Sequence, residues 1–123
     1  MKQILFILLL LPVLGNSQVQ KYRAYETKVG DENWTEQNIL VVIDADRSKI
    51  HIYAKLESDL SIIATGNTEI LDDGKALKMD CVDQDGKRCT VGMKWFKDQT
   101  VENIGNLWIE YNNVTIMYRL KNE

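Results

Sequence analysis

From about residue 21 onward, apolar and polar side chains alternate with a period of two, and no stretch sustains a period of 3.6. Residues 49–55 show it most cleanly: Ile50, Ile52 and Ala54 fall on one face, Lys49, His51, Tyr53 and Lys55 on the other. Further strands are predicted at 21–28, 38–44, 60–65, 76–82, 88–96, 107–111 and 114–120, with 68–71 leading into the turn before 76. Within 38–44 the run Ile39-Leu40-Val41-Val42-Ile43 is apolar on both faces, which suits a central or covered strand. Turn residues punctuate the pattern at 44–48, 66–67, 72–74, 84–86, 105–106 and 112–113. Residues 98–105 read as a loop, at most with one helical turn.

About eight strands at this spacing, joined by short connections, predict an all-β fold in which sequential strands pair as an antiparallel meander. Closing such a sheet removes its exposed edges, and eight strands enclose an interior that side chains can fill or that can hold one small ligand. The reading is a small up-and-down barrel or half-barrel of lipocalin-like architecture, with a β-sandwich as the alternative. The chain carries no Gly-x-Trp near the start of this region, so the likeness is one of architecture and not of family. Asp72-Asp73-Gly74-Lys75 and Gln84-Asp85-Gly86-Lys87 share a pattern that predicts a left-handed glycine in each turn.

Residues 1–17 differ from everything after them. Lys2 precedes an unbroken apolar run from Ile4 to Leu11, and Gly15-Asn16-Ser17 places small residues where signal peptidase needs them, with cleavage expected after Ser17. The run is shorter than the roughly 20 residues that span a bilayer as a helix. The expected domain organisation is therefore a signal peptide, 1–17, and one all-β domain, 18–123, in the periplasm or outside the cell and without a stable membrane span. The ending Leu-Leu-Leu-Leu-Pro-Val-Leu-Gly-Asn-Ser-Gln resembles leaders of Bacteroidota, and the rest of the chain resembles small exported all-β proteins of that type.

Composition narrows the chemistry. The 123 residues carry a net charge of −3, which argues against nucleic acid as a partner. One histidine excludes any zinc site built on two, and no metal or other cofactor is expected. Asp83-Gln84-Asp85-Gly86 looks like the centre of a calcium loop. However, Gly86 as its sixth position would make Gly92 the twelfth, where a bidentate Glu is required. Counting back from that turn sets Cys81 opposite Cys89, within reach of a disulfide in an oxidising compartment.

No Ser-His-Asp array, phosphate loop or nucleophile elbow occurs, and the paired carboxylates sit at turns. The chain reads as a non-catalytic exported binding module. Its partner would be a small apolar ligand inside the barrel, or an envelope or extracellular protein on the surface. An inhibitor or structural partner of a cell-envelope protein is the alternative. The candidate binding surface comprises Trp108, predicted to point outward with Glu110, and the cationic face of His51, Lys49, Tyr53 and Lys55. Trp95, in step with Cys89, Val91 and Met93, is expected to face the core.

Overall fold

The computed structural model describes residues 19–55, 57–100 and 103–123. The expected leader lies outside these residues. Nine strands follow one another: β1 (Val19–Val29), β2 (Thr35–Asp44), β3 (Lys49–Tyr53), β4 (Ser58–Thr65), β5 (Glu69–Leu71), β6 (Gly74–Val82), β7 (Arg88–Thr100), β8 (Asn103–Glu110) and β9 (Thr115–Asn122). Every pairing is antiparallel. The order β4-β3-β2-β1-β9-β8-β7-β6-β5 closes on itself through β4 and β6, so eight strands form an up-and-down barrel. Among the described residues no helix is long and apolar enough to cross a membrane.

The extra strand, β5, is a continuation of β4. β4 pairs with the second half of β6, from Ser61↔Val82 to Thr65↔Met79, and β5 pairs with its first half, from Glu69↔Ala76 to Leu71↔Gly74. Between them the Gly66 N–H donates to the Lys78 carbonyl at 2.8 Å. The two strands therefore run along one edge of β6 as a single interrupted arm of a long hairpin.

The alternation predicted from sequence sorts the side chains. Val41, Ile50, Ile52, Leu60, Val91 and Leu107 are fully buried, and the wider core adds Tyr22, Leu77, Met79, Met93, Ile109, Tyr118 and Leu120. Full burial of each large aliphatic side chain contributes about 1.5–3 kcal/mol. β2 is central, flanked by β1 and β3. Its inward residues Ile39, Val41 and Ile43 are buried, while Leu40 and Val42 stay half-buried on the outer face.

Residues 98–100 and 103–105 are strand, not loop. β7 runs on to Thr100 and β8 begins at Asn103, with a register shift between Trp95 and Thr100 and with Ile104 buried. The predicted turn glycines also divide. Gly86 is left-handed, with φ of 83°, whereas Gly74 has no positive φ and opens β6 in the barrel wall. A Cβ on Gly74 would stand 2.0 Å from the Trp95 carbonyl oxygen. Close approach of two backbones, not turn conformation, requires glycine there.

The β6–β7 turn is held by Asp83. Its Oδ1 accepts from the amides of Asp85 and Lys87, both at 2.9 Å, and its Oδ2 accepts from the Tyr111 hydroxyl at 2.9 Å. That last bond ties the β6–β7 hairpin to the β8–β9 hairpin at one end of the barrel. Burial pushes the Asp83 carboxyl up, but these donors, with the nearby Lys87 charge, outweigh it and leave the group below its ordinary value.

Cys81 and Cys89 are Cα partners, as the turn count predicts. The expected disulfide is nevertheless not formed, and both are buried thiols. Facing Cα positions permit a disulfide without requiring one. Cys81 Sγ lies 4.0 Å from the Met79 carbonyl, while the Tyr111 hydroxyl is a neighbour of the Cys89 thiol. Burial pushes the Cys81 thiol up to about 12 and raises Cys89 as well, which withholds the reactive thiolate.

Candidate functional site

The β5–β6 turn and the ends of β7 and β8 lie at the barrel end away from Asp83. There the cross-strand register sets side chains in rows. Ile70 pairs with Lys75 and Lys75 with Trp95, forming one row on the inward face. Leu71, Gly74 and Phe96 form the next. The first row lies beyond the part of β6 that β4 covers and so stands above the packed interior, while the second points to the outer face, where Lys94 lies over the Phe96 ring. Ile70 is 72 % exposed, the highest value among the large hydrophobic residues described as exposed.

Between the hairpin and the end of β7 is an open cleft of about 400 Å³. Ile70 and Leu71 form one wall, Trp95 and Phe96 another, and Lys75 and Lys97 bring two positive charges against one acid, Asp72. The volume lies in the range of small-ligand sites, and a mostly apolar lining with a few polar groups is their usual composition. The Lys97 N–H donates to the Asp73 carbonyl at 2.8 Å, which clamps the turn to the strand. Lys94 on the outer face is engaged elsewhere: its Nζ lies 2.7 Å from Asp73 Oδ2, and the bond holds the Asp73 carboxyl below its ordinary value.

Trp95 is half-buried against the core, as its place in the alternation predicts. A hydrogen bond joins it to the Tyr22 hydroxyl, which in turn bonds Gln20. Burial is the main cause that pushes the Tyr22 hydroxyl above its ordinary value. This bond helps to orient the indole in its wall of the cleft.

The surface residues singled out from sequence lie elsewhere and are not brought together. Trp108 points outward from β8, as expected, but it is fitted into the wall. It pairs across to Gly92, and its Nε1 donates to Glu110 Oε2 at 2.6 Å. With Lys78 and Lys94 it lines a separate outer groove of about 540 Å³ that also touches Leu71. His51 stacks on Tyr53, with ring centroids 4.2 Å apart, and its Nε2 lies 3.2 Å from Glu57 Oε1. Lys49 lies 3.6 Å from Asp59. With Glu57 and Asp59 beside it, the β3 face does not present the purely cationic surface expected from sequence, although Lys55 at its end is exposed.

Sequence reasoning missed the cleft, because it depends on the extra length of the β5–β6 hairpin. The available signal was Ile70, an isoleucine next to an acidic turn with no inward partner of its own in the period-two pattern. The acidic turns serve structure, as expected from their positions: Asp44 pairs with Arg47 at 2.8 Å, and Asp83 caps its own turn. Among the described residues no group of three or more His, Cys, Asp or Glu could hold a metal ion. No family model, no curated protein and no solved structure matches the chain.

Proposed function

We propose that the protein is a non-catalytic, exported binding module that takes a small amphipathic ligand, apolar with an anionic group, in the cleft at its barrel mouth. The observation that carries this reading is the exposed Ile70 in one row with Trp95, in a cleft that Phe96, Lys75 and Lys97 also line. An exposed large apolar residue beside half-buried aromatics in one cleft marks a surface suited to an apolar ligand. Buried side chains such as Ile50, Ile52, Leu60 and Leu107 occupy the barrel interior, which favours the mouth over the lumen as the place for a ligand. The leader-like segment ending at Ser17 supports export.

Decanoate is a suitable probe because it joins an alkyl chain to a carboxylate. Titration followed by tryptophan emission and by thermal unfolding is expected to show saturable binding, lost in Ile70→Asp and Phe96→Ala and silent optically in Trp95→Phe. An alkyl ammonium of equal length should bind at least tenfold more weakly. Absence of any shift or stabilisation with decanoate, decanol and the ammonium overturns the reading.

A further inference from the structure

Barrel closure gives almost every strand two neighbours, and one run is an exception. β3 accompanies β4 only from Ser58 to Ser61, and the last contact on that side is the Ile62 N–H donating to the Ser48 carbonyl at 2.8 Å. A bulge between Ile62 and Ala64 then shifts the register. From there to Leu71 the strand pairing among the described residues is with β6, on one side only. Since the Gly66 N–H donates toward β6, alternation along the ladder turns the Thr65 N–H outward.

Beyond the bulge at Ile62/Ala64, this edge carries little charge protection. Exposed edges are normally blunted with lysine or proline, yet residues 61–71 contain neither, and Glu69 is their one charge. The two most exposed large hydrophobics, Ile63 at 51 % and Ile70 at 72 %, both lie on it.

The sequence of the edge is also self-complementary. Read antiparallel to itself, Ile63-Ala64-Thr65-Gly66-Asn67-Thr68-Glu69-Ile70 sets Ile63 against Ile70 and Thr65 against Thr68. A two-fold axis between Gly66 and Asn67 generates each pair twice and places a residue without a side chain at the closest approach. Two-fold dimers need one patch that complements itself, and matched apolar and Thr–Thr pairs are favourable across antiparallel strands. We propose that a second copy of this chain pairs with it edge to edge through residues 63–70. An unrelated extended peptide would need no such symmetry, which is why the occupant is a second copy.

Sedimentation equilibrium of the purified protein over low to high micromolar concentration tests this. The mass is expected to rise from one chain to two. Ile63→Lys places like charges in the paired edge, and Thr65→Pro removes an outward donor while leaving the β4–β6 ladder intact. Each should weaken dimerisation roughly tenfold or more. Circular dichroism should show both variants folded. Ile63 lies outside the mouth cleft, so at protein concentrations low enough for single chains, decanoate binding by Ile63→Lys should match that of the unaltered protein. A single chain mass at every concentration overturns the proposal, and so does a dimer that both folded variants leave undiminished.

Discussion

Trp108 lies against Gly92 on the neighbouring strand so closely that a Cβ on Gly92 would fall 2.1 Å from the indole ring. Lys78, Gly92 and Trp108 stand in one outward row across β6, β7 and β8, and the missing side chain in the middle is the slot the indole fills. Glu110 fixes the indole from one side through Nε1, while Lys78 lies 3.5 Å from the same carboxylate. Large aromatics commonly cover strand glycines in this way.

The fit between Gly92 and Trp108 makes the cost of a methyl group conditional. Gly92 has no positive φ, so alanine is allowed by its backbone and would on its own stabilise slightly by restricting the unfolded chain. With the indole in place, Gly92→Ala is expected to destabilise by about 1–3 kcal/mol through overpacking. In a Trp108→Ala background the same substitution should be neutral or stabilising. Urea unfolding of the four proteins of this cycle measures the coupling, and additive effects would show that the indole does not occupy the slot.

The limits of the sequence reading follow from the same geometry. Alternation is a local signal, so the inward sets Ile50 and Ile52 or Met79 and Cys81 were readable directly. The Cys81↔Cys89 register followed by counting from one turn. The extension of β7 was hidden because residues 97–100 are exposed whichever face they take, which erases the contrast on which the pattern depends. The continuity of β4 and β5 accumulates through two shifts of register against β6, and no local pattern records those. Likewise the mouth cleft needs Ile70 and Trp95 from distant parts of the chain in one row, and the facing register of Cys81 and Cys89 does not by itself join the two thiols.

Asp83 gives the barrel a defined acid sensitivity. Its carboxyl lies below the ordinary value in the folded protein, so the stability it contributes is fully present above the unfolded-state value near ~3.9 and is lost as pH falls through the lower folded-state value. Asp83→Ala strands two turn amides and the Tyr111 hydroxyl, at a cost of about 1–3 kcal/mol at neutral pH. Urea unfolding at pH 7 and at progressively lower pH should show the gap between unaltered protein and variant narrowing below about pH 4–5. Tyr111→Phe removes one of the three donors and should produce a smaller loss of the same sign. A gap that is constant with pH would mean that the carboxylate charge does not hold the turn.

Gly74 and Gly86 look alike in sequence, each following an acidic residue and preceding lysine, but they are glycine for different reasons. At Gly86 the φ of 83° is the constraint, and nothing lies within 4 Å of where a Cβ would go. Asparagine tolerates the left-handed region, so Gly86→Asn should cost little, while Gly86→Ala should cost about 1–2 kcal/mol. At Gly74 the backbone is unexceptional, but a Cβ meets the Trp95 carbonyl oxygen at 2.0 Å, and a backbone atom within a ladder cannot swing aside as a side-chain tip would. Gly74→Asn and Gly74→Ala should therefore be equally damaging, at about 3 kcal/mol or more, the upper end of overpacking costs. Both should also disturb the cleft, because the strain falls on the Trp95 backbone that positions its indole. Thermal unfolding of the four variants distinguishes the two constraints: a conformational one is relieved by asparagine, and a steric one is not. Recovery of stability in Gly74→Asn relative to Gly74→Ala would return that residue to the role of a left-handed turn glycine.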